Sequence, residues 1–219
     1  MDNTSRDAWE GWSIVGAVTI ALCLGVTVAA MTAAAPADGI RLIIRMTARS
    51  SFMLFALAFT ASATWRFWPN KWTRWQLRSR RYLGVSFAVS HAVHLLAIFA
   101  LGRVSPADLA AEANAVTWIF GGLAYVFIAL MTLTSFDSTA RSIGPRAWSL
   151  LHTTGSYYIW FIFANSYLSR AVTMPGYIPV AVLVMFILGL RIAARVSKTR
   201  ARAALSRLSS PPNPSTTDR

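Results

Sequence analysis

The sequence predicts an all-α protein, a six-transmembrane helix bundle with the N- and C-termini on the cytoplasmic side. Composition is the first observation behind this prediction, because 55% of the 219 residues are hydrophobic and only 13% are charged. Soluble domains carry about 25% charged residues. The second observation is a series of apolar runs, each of the roughly 20 residues that a helix needs to cross a hydrocarbon core of about 30 Å. An ordinary soluble domain is therefore excluded.

Six predicted spans follow one another and define a transmembrane domain over residues 13–196. Their bounds are 13–32, 47–65, 82–101, 116–135, 147–168 and 177–194. The fifth is the least hydrophobic, since it carries His152 and several hydroxyl side chains, and a helix this polar is expected to face the bundle interior. Residues 1–12 are expected to form a cytoplasmic N-terminus. Residues 197–219 are expected to form a basic and then disordered cytoplasmic tail.

Positive charge is distributed unequally between the two sides of the predicted bundle. The formal net charge is +13, and 16 of the 21 Lys and Arg residues fall on the side that holds both termini. Because basic loops stay in the cytoplasm, this bias places both termini there. The basic character therefore reports orientation in a lipid bilayer, and no nucleic-acid partner is expected. The expected location is the cell membrane, as a multi-pass protein of a bacterial inner membrane.

A segment rich in tryptophan and basic residues separates the second and third spans. Trp65, Trp68, Trp72 and Trp75 recur at helical spacing between basic side chains, and Pro69 lies near the start of the helical part. Tryptophan prefers the headgroup region, and basic residues attract anionic lipid. The pattern predicts an interfacial segment along the cytoplasmic leaflet. The alternative is a docking surface for a cytoplasmic partner.

All three histidines lie inside predicted spans, whereas the eight acidic residues lie outside the spans or at their edges. His91 and His94 are on the third span, and His152 is on the fifth. The lack of intramembrane carboxylates argues against an ion-coupled transporter. Neutral imidazole is a common axial ligand of haem iron, so these histidines predict haem ligation. Interhelical hydrogen bonding is the alternative role.

Three short motifs resemble the ferric-reductase-like transmembrane domain family. Residues 80–84 read RRYLG, and His94 follows the glycine of this motif by ten residues. Residues 148–152 read WSLLH, and residues 46–50 read MTARS ahead of a span rich in Ala, Phe and Leu. This family is the six-helix haem-binding core of ferric reductases and NADPH oxidases, and of the haem subunit of the periplasmic methionine sulfoxide reductase system. The resemblance covers roughly residues 41–168.

The resemblance implies a b-type haem and fixes candidate site residues by position. His94 and His152 match family histidines, and Arg80 stands where two-haem members carry another histidine and the methionine sulfoxide reductase subunit carries arginine. The family's second histidine on the fifth helix corresponds to Asn165, a poor ligand, which implies the loss of one haem. One bis-histidine haem is the first expectation. Its pair stays open, since His91 is closer in depth to His152 although His94 is the better family match.

The predicted function is electron transfer across the membrane through one haem b. Six spans leave only loops and a short tail, and no Gly-rich phosphate loop is present, so we expect no flavin or nicotinamide domain and no complete reductase. A separate donor, a flavoprotein or quinol, would supply electrons to an extracytoplasmic redox acceptor, with the Trp-rich segment as the donor's candidate docking site. The alternative is a haem-free integral membrane scaffold or accessory protein that keeps the fold and has lost ligands. A small-solute channel or transporter is the weakest interpretation.

Overall fold

The computed structural model describes residues 11–209, which are almost entirely helical and contain no β-strand. Within this range the chain forms α1 (Trp12–Thr32), α2 (Pro36–Phe67), α3 (Lys71–Arg78), α4 (Arg80–Val104), α5 (Pro106–Glu112), α6 (Ala115–Leu133), α7 (Asp137–Thr173) and α8 (Ile178–Ser209). A short 3-10 turn joins the last two helices. The predicted all-α class is confirmed.

Five helices, α1, α2, α4, α6 and α8, are long and apolar enough to cross a membrane. They correspond to five of the six predicted spans and fit a multi-pass protein embedded in a lipid bilayer. The remaining predicted span lies within α7, which has 37 residues but is too polar to meet the same criterion. Its polarity is concentrated around His152, as the sequence predicted.

Two helices extend well beyond their predicted spans. α2 begins at Pro36 rather than at residue 47, because its first turns carry charged side chains such as Arg41 and Arg45 that hide the helix from a hydropathy reading. α8 continues through residues 197–209 of the predicted tail, so its 32 residues extend about 48 Å, well over the roughly 30 Å of a hydrocarbon core. Residues 1–10 of the predicted N-terminal segment and residues 210–219, where disorder was predicted, lie outside the described range.

α7 changes direction at a Gly-Pro pair. Gly144 has φ 77°, in the left-handed region that favours glycine, and Pro145 follows it without a backbone N–H donor. The kink separates a first segment, residues 137–143, from the long part of the helix that begins at Pro145. This long part carries Trp148 and His152 into the bundle.

The core of the bundle lies between α2, α4, α7 and α8 and is largely aromatic. Phe52 and Phe55 of α2 pack against Phe163 of α7 at ring-centroid distances of 5.3 and 5.4 Å. Phe87 of α4 closes the same cluster at 5.6 Å from Phe55. Val184 of α8 is completely buried against it. This cluster fixes the faces that α4 and α7 turn toward each other, and therefore the positions of the histidines.

α3 is a short helix held against α2. Its N-terminus carries a reciprocal capping box, in which the Asn70 side chain accepts from the Thr73 N–H at 3.0 Å and Thr73 Oγ1 accepts from the Asn70 N–H at 3.1 Å. Gln76 is buried, donates to the Leu57 carbonyl at 2.9 Å and accepts from the Thr64 hydroxyl at 2.8 Å. The helical part predicted after Pro69 is therefore present and fixed to the bundle.

Candidate functional site

The predicted site residues fall into two groups. His152 and Arg80 line a cavity of about 370 Å³ between α2, α4, α6 and α7, which we call the His152 cavity. His91 and His94 do not line it. They lie farther along α4 beside Thr47 of α2 and Tyr125 of α6, and we call these four residues the His94 cluster.

Two neighbouring helices show how far apart these groups are along the bundle axis. On α7, Phe163 packs on His91 at a ring-centroid distance of 6.1 Å and follows His152 by eleven residues, which is about 16 Å of helix. On α6, Tyr125 donates to the His91 carbonyl at 3.3 Å, and Thr134 bonds the His152 ring at 3.0 Å. These two α6 residues are nine positions apart, or about 13 Å.

This separation bears on the expected bis-histidine haem. Two axial imidazoles each lie roughly 2 Å from the metal, so their ligating nitrogens are only about 4 Å apart. The structure does not bring His152 that close to His91 or His94. The rings of His91 and His94 are stacked 5.2 Å apart at an interplanar angle of 21°, so their in-plane lone pairs do not converge on one iron between them.

The His152 ring is held by two neighbours. Trp148 stacks on it at 4.2 Å between centroids, and Nε2 lies 3.0 Å from Thr134 Oγ1. The Thr134 hydroxyl donates its proton to the Leu130 carbonyl at 2.7 Å, so it accepts from Nε2 and leaves the lone pair of His152 on Nδ1. An imidazole with one N–H held by a neighbour and its other nitrogen available is typical of a metal ligand.

The walls of the His152 cavity are mostly apolar and leave room for a ligand. They include the aromatic and aliphatic side chains Phe55, Phe59, Phe87, Ile128 and Ile159. Gly84 also lines the cavity, and a Cβ added to it would meet no other atom within 4 Å. The volume falls within the range of about 300–1,000 Å³ that is typical of small-molecule and cofactor sites.

Arginines line one end of this cavity. Arg81 is paired with Asp137 at 2.9 Å. Arg80 has no ion pair within residues 11–209 and lies within electrostatic range of two other groups that can carry positive charge, His152 and Arg191. A guanidinium in such a position favours a carboxylate or phosphate group on whatever the cavity binds.

His94 is bonded in the same manner as His152, but in a packed interface. Its Nδ1 lies 3.0 Å from Thr47 Oγ1 and 3.1 Å from the Ile44 carbonyl. Because the Thr47 hydroxyl donates to the Ile43 carbonyl at 2.7 Å, Nδ1 is the donor in both contacts. The lone pair is therefore on Nε2, which has no hydrogen-bond partner in the described part of the chain.

Other polar groups near His94 differ in whether they make hydrogen bonds. Ser90, fully buried on α4, is bonded to Ser50 at 2.8 Å and to Ser51 at 2.9 Å on α2. His91 Nδ1 is buried and has no hydrogen-bond partner among the residues that the structure describes. Asn165, where the family resemblance implied a lost ligand, is exposed on α7.

The threonine partners of the two histidines were not predicted. Thr47 and Thr134 are two of many hydroxyl residues in the spans, and the sequence does not show which of them faces an imidazole. A threonine directly at a predicted span end, such as Thr47, is a weak signal at best. The tautomers of His152 and His94 could therefore be assigned only from the structure.

Comparison with protein-family models, with curated proteins and with solved structures finds no match. The resemblance to the ferric-reductase-like family thus stays a prediction that depends on the motifs around Arg80, His94 and His152.

Proposed function

We propose that the protein is a six-span haem b protein of the cell membrane that carries electrons from a separate donor to an extracytoplasmic acceptor. α7 would be the sixth span, because its part from Pro145 to Thr173 extends about 43 Å and its polar side chains line the His152 cavity. The charge distribution supports a cytoplasmic location for both termini.

One observation carries the proposal: a histidine with an available ring nitrogen lies on an apolar cavity that has an unpaired arginine at its end. These residues fit haem b. His152 would ligate the iron, the aromatic walls would contact the macrocycle, and Arg80 would pair with a propionate carboxylate. The bound haem would supply one-electron redox chemistry of its iron. This is one haem with one protein histidine, in place of the bis-histidine site that we first expected.

The neighbouring residues would orient the ligand and keep the site dry. Thr134 fixes the tautomer of His152, and Trp148 restricts the rotation of its ring. Phe55 and Phe87 are buried side chains that line the cavity and would exclude water from it. An apolar surrounding of this kind is one of the means by which a protein sets a haem potential.

The position of the cavity supports the proposed direction of electron transfer. Leu77 and Arg78 of α3 are among its lining residues, so it approaches the side of the bundle that carries α3 and, by the charge distribution, both termini. A cytoplasmic flavoprotein or quinol would therefore be the donor. The acceptor would lie at the opposite side, beyond the His94 cluster.

The test is the absorption spectrum of protein purified after haem-supplemented expression, oxidised and then reduced with dithionite. We expect a Soret band that shifts on reduction, and at least about tenfold less haem per chain in His152→Ala. His91→Ala is the matched control, since it removes an imidazole outside the cavity and is expected to leave the haem content unchanged. A wild-type protein without a Soret band, or a His152→Ala spectrum identical to wild type, contradicts the proposal.

A haem-free membrane scaffold is the second candidate. It is favoured by the bonds of His152 to Thr134 and of His94 to Thr47, because histidines also join helices in this way without any metal. In that case no variant of the three histidines changes a spectrum. His152→Ala then lowers only the free energy of unfolding, by about 0.6–1.7 kcal/mol.

A further inference from the structure

α3 has two faces with different surroundings. On its inner face Gln76 is bonded to α2, and Leu77 lines the His152 cavity. On its outer face Trp72 is 80% exposed, beside the exposed side chains of Lys71 and Arg74. The inner bonds keep the outer side chains in a fixed position relative to the bundle.

The outer face carries the positive charges of Lys71 and Arg74, and neither side chain forms an ion pair with any residue that the structure describes. The sequence contains no Asp or Glu between Asp38 and Asp108, a stretch that includes all of α3. The Arg74 guanidinium lies over the Trp65 ring at 5.4 Å, a cation–π contact that holds it at the surface. An anionic partner is therefore the chemical complement of this face.

The position of α3 identifies that partner. The helix begins four residues after the end of apolar α2 and stops two residues before apolar α4 begins, so it lies at the level where the two helices leave the membrane. Trp68, 54% exposed, and Trp72 are the aromatic side chains that favour headgroup depth. We infer that the outer face of α3 binds the headgroups of anionic phospholipids. The lipid headgroups bound to the outer face keep the inner face of α3, with Leu77, against the end of the His152 cavity.

This inference rests on the membrane location of the helices and not on haem. The probe is palmitoyl-oleoyl phosphatidylglycerol, titrated into the full-length protein in detergent, with bound lipids counted by native mass spectrometry. The test variant is Lys71→Gln/Arg74→Gln. The control is Arg200→Gln/Arg202→Gln, which removes the same charge from the exposed end of α8.

Each cation at the membrane surface strengthens the binding of an anionic lipid about fivefold, so the α3 variant is expected to bind phosphatidylglycerol up to about 30-fold more weakly. The control variant is expected to bind this lipid like wild type. Amide exchange of residues 71–78 in phosphatidylglycerol bilayers should also be slower than in phosphatidylcholine bilayers. Equal losses in both variants would mean diffuse attraction and would overturn the site. Equal amide exchange of residues 71–78 in the two kinds of bilayer would also overturn it.

Discussion

The His152 cavity and the His94 cluster use the same hydrogen-bonding device in different surroundings. In each, an imidazole N–H is held by a threonine hydroxyl that itself donates to a carbonyl of its own helix. Around His94 the helices are close together, whereas beside His152 they leave about 370 Å³. Hydrogen bonding alone therefore does not distinguish a histidine that ligates a metal from one that only joins helices. The space beside the free ring nitrogen is what differs.

Residue size explains the difference in space. Between α2 and α4 the contacts of Ser50, Ser51 and Ser90 are direct hydrogen bonds, and small hydroxyl side chains allow the two backbones to approach. Nearer the start of α4, Gly84 has no side chain to fill the gap. Small residues thus close the interface in one region and open a cavity in the other.

The largest effect is expected from filling the cavity. Gly84→Leu would place a side chain in the open space that the haem would occupy, so haem per chain should fall by about tenfold or more. Haem content by absorption and the elution profile of the folded protein are the two measurements. Gly122→Leu, at an exposed glycine of α6, is the control. Normal haem content in Gly84→Leu would show that the ligand lies elsewhere.

The next effect concerns the α6–α7 wall of the cavity. A Cβ on Gly155 would lie 2.5 Å from Met131 Sδ and 3.1 Å from Phe127 Cδ1, so Gly155→Val should lower the free energy of unfolding by about 1–3 kcal/mol. Reversible unfolding in sodium dodecyl sulfate measures this loss. Gly189→Val is the control, because a Cβ at Gly189 meets no atom within 4 Å. Equal stability of the two variants would mean that α6 and α7 do not pack this closely.

A smaller effect tests the packed region. Ser90→Val replaces the hydroxyl by two methyl groups and leaves Ser50 and Ser51 without their shared partner, so unfolding should become easier by about 1–2 kcal/mol. Exposed Ser149→Val should change stability little. If Ser90→Val also lowers the haem content, the two regions are coupled and the comparison fails.

The smallest effect is expected at the bond that orients His94. Thr47→Val removes one interhelical hydrogen bond in a membrane interior, for which the typical cost is about 0.6 kcal/mol. Thr19→Val is matched to it, since Thr19 bonds only to the Val15 carbonyl of its own helix. A destabilisation no larger than that of the control would show that the His94 bond contributes nothing measurable.

Hydropathy predicted most of the fold because a helix that is long and apolar enough to cross a membrane can be recognised from its own residues, independently of its neighbours. It failed for the ends of α2 and α8, where Arg41 and the residues after 194 continue a helix with charged side chains. It also predicted a helix within α7 despite the polarity of that segment, since His152 and its neighbours interrupt the apolar pattern without breaking the helix, whereas the role of α7 as a span stays a prediction.

The site was less predictable than the fold. Counting residues from the span ends put His91 closer in depth to His152 than His94 is, but the relative height of α4 and α7 is set by tertiary packing, here by Phe163 against His91. The motifs did identify Arg80 and His152, which share one cavity. The space beside Gly84 depends on all the surrounding helices, and no local pattern reports it.

The length of α8 has a practical consequence for imaging. If one end of α8 lies at one edge of the hydrocarbon core, the other end projects about 18 Å past the opposite edge. A folded marker joined in helical register near residue 205 would move rigidly with the spans, giving a small embedded protein an asymmetric feature for particle alignment by electron microscopy.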